Sequence, residues 1–379
     1  MILAARYVLP VAAPHIEYGA VLVRDDRIVE IGELSAMRAA HPEETVRDFG
    51  LAALMPGLVD LHTHLEYTAM RGLVDDLPYA EWKLQVLEKE SLLDSDDWED
   101  AAMLGALEAL RSGITTVADL TDSGAAVRAV NTSGMRAVVY REVQTMDKRR
   151  VAEVMDSAQN DIAEWKSSAS GDLLTVGIAP HSAYSCHPEL FRQVSDYAIA
   201  TGTPVATHLA GSREEYEFVK YGASRLAFEY RQKWGADIPW LPTGVSPVQY
   251  VLQWGLMDVP ELLAVHCTQV DEHDIDVIAS KDVAVAFCPR CNAKLGMGVL
   301  PLRKLLNRGV RVGIGTDSPA SNNTMDMFDE MRIGLLIQRA VDAHEQFHVA
   351  RKFVKLGTFD SARALRMEHA VGSLEPGKA

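Results

Sequence analysis

The sequence predicts an α/β protein: a TIM-type (β/α)8 barrel with a small β domain built from its N-terminus. Three observations predict it. From Leu58 onward, eight short apolar runs alternate with long amphipathic stretches, the pattern of a parallel sheet covered by helices. No glycine-rich dinucleotide loop follows an early run, which favours closure over an open doubly wound sheet. Histidines end several of the runs and an aspartate ends the last, where a barrel keeps its chemistry.

Residues 1–55 come first, in short β-type pieces such as GAVLVRDDRIVEIGE and VRDFGLAALMPG, with Asp25 and Asp26 placed for a hairpin turn. They form the small β domain, toward which residues 366–379 return. MILAARYVLP lacks the basic start and small-residue cleavage site of a secretory signal and reads as a first strand. Residues 56–365 form the barrel. Its strands are LVDLHTH, GITTVADL, MRAVVYREV, LLTVGIAPHS, TPVATHLA, ELLAVHCT, VAVAFCPR and VRVGIGTDS, separated by amphipathic stretches such as WEDAAMLGALEALRSG. The connection from Gly211 to Pro260 is long and rich in aromatics, Phe218, Trp234 and Trp240 among them. A connection of that length reads as a pocket wall, with ordinary apolar packing as the plainer reading for most of its aromatics.

Composition excludes several function classes. The 379 residues carry 53 acidic against 37 basic side chains, a net charge of -16. Such a surface repels phosphate backbones and anionic lipid, so a small-molecule substrate is expected, and no nucleic acid or membrane partner. No apolar run is long enough to span a bilayer. The four cysteines are few and mostly scattered, which fits a reducing cytoplasm rather than a disulfide framework. A homo-oligomer is compatible with all of this, and nothing in the sequence fixes the assembly.

Five of the twelve histidines sit at predicted strand ends: His62 and His64 on the first strand, His181 on the fourth, His208 on the fifth and His266 on the sixth. Asp317 ends the eighth. Residues two apart on a strand share a face, so His62 and His64 both point into the barrel, toward His208 and Asp317. Neutral imidazoles and a carboxylate suit Zn²⁺, with Fe²⁺ as the alternative. Four protein ligands leave room for a water, which ionises near neutral pH when bound to such a cation. The fourth strand ends IAPHSAYS, without the lysine that a bridging carbamate needs, so one divalent metal is expected. Cys288 and Cys291 form a lone CPRC, which is weak evidence for a metal and reads as pocket lining.

In order, PGLVDLHTHLEYTAMRG, SGITTVADL, IAPHSAYS, THLAGSREE, AVHCT, FCPRCNAKLGMG, VGIGTDSPASNN and GSLEPGKA resemble the amidohydrolase superfamily over essentially the whole chain. The likeness is greatest to the nucleobase and nucleoside deaminases, with triazine and chlorohydrolase relatives. The resemblance implies a hydrolase acting on C–N bonds other than peptide bonds. His62, His64, His208 and Asp317 would hold the metal, and Asp317 would also move protons. His266 would polarise the attacked centre and His181 would contact substrate. HTHLEYTAMRGL followed by LPYAEW looks most like members acting on 6-aminopurine nucleosides, such as aminodeoxyfutalosine, methylthioadenosine or adenosylhomocysteine. Trp82 would close over the base, Glu66 joins the substrate-contact candidates, and Arg141 would meet a substrate carboxylate or pair with Glu142 or a neighbouring acid.

The chain departs from that family twice. It stops at GSLEPGKA, where members continue into strands that complete the small β domain. Gly211 stands three residues after the metal histidine, where members carry a glutamate, while Ser212 and Glu215 keep the register. Hydrolytic deamination must protonate the ring nitrogen beside the attacked carbon, and that glutamate suits the task. Glu214 and Glu215 are better placed to begin a helix, where acids are favourable. With the acid position vacant, deamination is expected to be slow. Gly211→Glu would then raise it by roughly 10²–10⁴-fold, the usual worth of a positioned acid, unless the glycine serves a backbone that requires positive φ. Two other readings stay open: a hydrolase of another ring C–N or C–Cl bond, and a silent relative that binds metal and purine without turnover.

Overall fold

The computed structural model describes residues 1–169, 171–230, 240–344 and 346–379. Its first sheet is built from β1 (Ile2–Val8), β2 (Ile16–Arg24), β3 (Arg27–Glu33), β4 (Val46–Asp48) and β5 (Ala53–Leu54). β1, β2 and β3 run antiparallel, and β4 and β5 pair parallel to β1. The β2–β3 hairpin turns at Asp25 and Asp26, with Asp25 at φ 53°, a conformation that aspartate tolerates better than most residues. Residues near the C-terminus lie against this sheet. Ile28 and Gly377 exchange backbone bonds with Lys378 and Ile28, both at 2.8 Å, and Leu374 N–H donates to Pro10 at 3.0 Å.

The second sheet is the barrel. Its strands are β6 (Leu58–Thr63), β7 (Ile114–Thr121), β8 (Arg136–Val143), β9 (Leu174–Pro180), β10 (Val205–Leu209), β11 (Leu262–His266), β12 (Ala284–Phe287) and β13 (Val312–Ile314). They stand side by side in chain order, each parallel to the next. Alternate positions feed two cores. Val59, Leu61, Val138 and Tyr140 fill the lumen, while Val117, Val139 and Ile178 pack outward against the helices. With both faces covered, the strands read as continuous apolar runs, which is why all eight were visible in the sequence.

Closure joins the first barrel strand to the last. Thr63 and Asp317 form a parallel bridge, and Asp317 N–H donates to the His62 carbonyl at 2.8 Å. Asp60 clamps the seam, accepting from Thr316 N–H at 2.9 Å and from Thr316 Oγ1 at 2.6 Å. Burial pushes the Asp60 carboxyl up to about 6. A Cβ on Gly315 would lie 2.8 Å from His62 N and 2.9 Å from His62 O, so only glycine lets the strands approach this closely.

The described residues of the connection after β10 include the helices Arg213–Tyr221 and Pro247–Gln253. Phe218 packs on Trp240 at 4.7 Å between ring centroids, and Trp240 on Tyr250 at 5.5 Å, the plainer reading of these aromatics. Trp234 lies outside the described residues.

Gly315→Ala is expected to lower the unfolding midpoint in calorimetry, since overpacking costs about 1–3 kcal/mol and backbone atoms have no way to yield. Gly32→Ala, whose Cβ meets nothing within 4 Å, is the control. Equal midpoints would show that the seam has slack.

Candidate metal centre and active site

The seam delivers His62, His64 and Asp317 to one place. The His62 ring lies 4.9 Å from the His64 ring and 5.1 Å from the His208 ring, and its Nε2 is 3.7 Å from Asp317 Oδ1. One ligand atom from each of His62, His64 and His208 falls within 4.8 Å of the others. His64 Nδ1–H donates to the Leu120 carbonyl at 2.9 Å, and His208 Nδ1–H to the His181 carbonyl at 3.1 Å. A carbonyl only accepts, so both tautomers are fixed with the Nε2 lone pair directed inward, as a metal ligand requires.

His62 is wholly buried, and neither of its ring nitrogens has a hydrogen-bond partner among the described residues. Burying a polar group without a partner is costly, and a cation removes the cost. Burial, then the neighbouring His62, pulls His64 down to about 3. Burial likewise holds His181 and His208 well below the usual imidazole range, so the rings stay neutral and keep their lone pairs. Burial pushes the Asp317 carboxyl up, but the imidazoles of His62, His266 and His64 around it outweigh burial and hold Asp317 ionised. Three imidazoles and a carboxylate fit a divalent cation such as Zn²⁺.

His266 stands beside this set. Asn292 Oδ1 engages its Nδ1 at 2.9 Å, and its Nε2 lies 3.8 Å from Asp317 Oδ2. Burial draws it down to about 4. His181 shares Nδ1 with Ser185 at 2.7 Å and Ser182 at 3.1 Å, with its ring 4.9 Å from that of His208. Ala210, His266, Cys267 and Asp317 all have positive φ. Left-handed backbone at four non-glycine residues around one rim is the strain that clusters at functional sites.

A cavity of about 30 Å³ lies over the cluster, walled by Trp82, Lys83 and Tyr79 of the helix Tyr79–Glu90 and by Tyr67, Cys291 and Met297. A larger one, about 450 Å³, opens among Arg27, Arg136 and Arg311, away from the histidines. Chemistry rather than volume selects the site. Cys288 and Cys291 are buried free thiols, held protonated by burial.

Glu66 and Arg141 do not line the smaller cavity. Glu66 accepts from Thr121 Oγ1 at 2.6 Å, from Asp122 N–H at 3.1 Å and from Ser123, so its carboxylate is spent on the end of β7. Arg141 pairs with Asp161 at 2.7 Å and with Asp122, the neighbouring-acid alternative. Gly211 is not in the positive-φ region, so backbone geometry does not demand glycine there. A Cβ would lie 3.0 Å from His266 Cδ2 and 3.1 Å from Met297 Cε. Glu215 turns back to accept from Ala210 and Gly211 N–H at 3.0 and 2.8 Å, which commits it to the loop. The sequence pattern gave no sign of Lys83 or Asn292, and it offered Glu142 only as a partner for Arg141. Lys83 follows Trp82 on an amphipathic helix, where a lysine ordinarily faces water.

A family model described as "Amidohydrolase family" matches residues 53–379. A protein of Moorella thermoacetica named 5-methylthioadenosine/S-adenosylhomocysteine deaminase is 33% identical, over 98% of this chain and 82% of its own length. One of Methanothermobacter thermautotrophicus named 5'-deoxyadenosine deaminase is 33% identical, over 96% and 79%. The crystal structure of an adenosine deaminase from Xanthomonas campestris with bound zinc superposes with a TM-score of 0.85 at 29% identity, covering 100% of this chain and 82% of that one.

Elemental analysis is expected to find one divalent metal per chain. His62→Ala and His208→Ala should each abolish it, and His266→Asn should retain it. Full occupancy in His208→Ala, or loss in His266→Asn, would redraw the ligand set.

Proposed function

Because the chain belongs to the amidohydrolase family, we propose that it is a metal-dependent hydrolytic deaminase of 6-aminopurine nucleosides, cytoplasmic and loaded with one Zn²⁺. The observation that carries this reading is His62. It is buried with two ring nitrogens unpartnered among the described residues, beside two neutral imidazoles and an ionised carboxylate, in a chain whose relatives bear the names of nucleoside deaminases.

His62, His64, His208 and Asp317 would hold the cation. Bound there, it would lower the pKa of a water toward neutrality and orient it. The rest is the work of side chains. Asp317 takes a proton from the attacking water and later returns it to the leaving amine. His266, oriented by Asn292, steadies charge at the attacked carbon. His181 and Trp82 hold and cover the base. Arg141 is already committed to Asp122 and Asp161, so a substrate carboxylate has to break that network. Nucleosides with a neutral 5′ substituent therefore fit better than S-adenosylhomocysteine.

Ammonia release from a panel of 5′-methylthioadenosine, 5′-deoxyadenosine, adenosine, S-adenosylhomocysteine and aminodeoxyfutalosine tests this. The expected result is turnover, with kcat/KM higher for the first two than for S-adenosylhomocysteine. Tight binding across the panel with no ammonia would sink the deaminase reading.

A further inference from the structure

The vacancy at Gly211 leaves the ring nitrogen without its proton donor, and the third barrel strand offers one. Val138 and Tyr140 of β8 point into the lumen while Val139 and Val143 point outward. Glu142 has the parity of the inward pair. In register it lies beside Ala179 of β9, two residues before His181. One oxygen of Glu142 and one nitrogen each of His181 and His208 fall within 4.8 Å of one another. The side chain is buried, 7% exposed, and Oε2 has no hydrogen-bond partner among the described residues. A buried, unpartnered carboxyl oxygen is costly, and its position beside the substrate-side histidine points to a ligand that completes it.

The fifth strand does not offer the same opening. The first atom of any side chain at position 211 already meets His266 and Met297 at 3.0 and 3.1 Å. A glutamate there needs His266 and Met297 to give by a few tenths of an ångström. We infer that Glu142 is the catalytic acid of this chain, bonding the purine ring nitrogen from the third strand in place of the absent fifth-strand glutamate. The inference rests on the deaminase reading above.

The atoms balance. Water adds to the amino-bearing carbon as one of its protons passes to Asp317. The Glu142 carboxyl gives its proton to the adjacent ring nitrogen, which receives the electron pair of the C=N bond. Asp317 then protonates the amine, the C–N bond breaks and ammonia leaves. The new hydroxyl returns a proton to Glu142, leaving a ring carbonyl and a ring N–H. Lys83, Glu66, Glu90 and Asp122 are the charged neighbours that act on Glu142, and Lys83 is the alternative donor from the cavity wall.

The test compares the unsubstituted chain with Glu142→Gln and Lys83→Met on 5′-methylthioadenosine at matched metal content. The inference expects turnover by the unsubstituted chain. Glu142→Gln should lower kcat by about 10²–10⁴-fold, with KM changed less than about threefold and the metal retained. Binding of a ring-hydroxylated nucleoside analogue of the tetrahedral adduct should weaken by a similar factor, while binding of the 6-oxo product holds. A fall in kcat confined to Lys83→Met overturns the assignment. So does a gain of 10²-fold or more from Gly211→Glu in the otherwise unsubstituted chain. An active chain whose rate survives Glu142→Gln sinks the Glu142 inference and leaves the deaminase reading standing. No turnover by the unsubstituted chain sinks both.

Discussion

The pairing of Thr63 with Asp317, where the last barrel strand meets the first, is the contact on which the rest of the molecule depends. It closes the sheet, and it sets the His62 ring 3.7 Å from the Asp317 carboxylate. Stability and chemistry therefore share one set of bonds. Asp60 clamps the seam from one side of His62, and Gly315 lets the strands approach closely enough for the clamp to engage. A barrel closed at any other register would still bury its apolar runs but would scatter the donors, because a one-residue slip turns every side chain to the opposite face.

The sequence revealed the strands because each is a short apolar run, and five histidines and an aspartate at their ends stood out against it. It revealed the loop acids for a similar local reason. Ser212 accepts from Glu215 N–H at 3.1 Å, the start of the helix Arg213–Tyr221. What it hid depends on direction. Arg141 drew notice as a charge, yet its parity sends it outward to Asp161, and its neighbour Glu142 is the residue of that pair turned toward the lumen. Glu66 sits two residues past His64 and shares the motif, but the chain bends into a 3₁₀ turn at Leu65–Met70, and strand parity ceases to apply. Lys83 was invisible because helical periodicity separates wet from dry faces only on average, and this helix lies across the barrel mouth.

Several carboxyl groups are buried around the site, and burial raises each of them. Glu142 is pushed up to about 8 by burial, with Lys83 pulling the other way. Glu215 is pushed up to about 7 by burial, against its two backbone donors. Asp119, raised well above the carboxylate range by burial, accepts from Leu65 N–H at 2.7 Å and so pins the turn after His64. Such groups are expensive in a folded chain. Most of them here hold the loops that follow the histidine-bearing strands, so the cost goes into positioning rather than stability.

The cavity of about 30 Å³ over the histidines has room for roughly one water molecule, and a nucleoside needs ten times that or more. The helix Tyr79–Glu90 closes it, tethered by Tyr79 to Tyr184 at 2.6 Å and by Glu81 to Arg225. A ligand larger than water needs this helix to move, and both tethers resist that movement. Measured affinity is then the intrinsic affinity reduced by the open fraction: an ensemble open about 1% of the time binds about a hundredfold more weakly than its contacts alone would give. Two proteins with identical metal ligands can thus differ widely in apparent affinity through the contacts that hold one wall closed, without any change in the atoms that react.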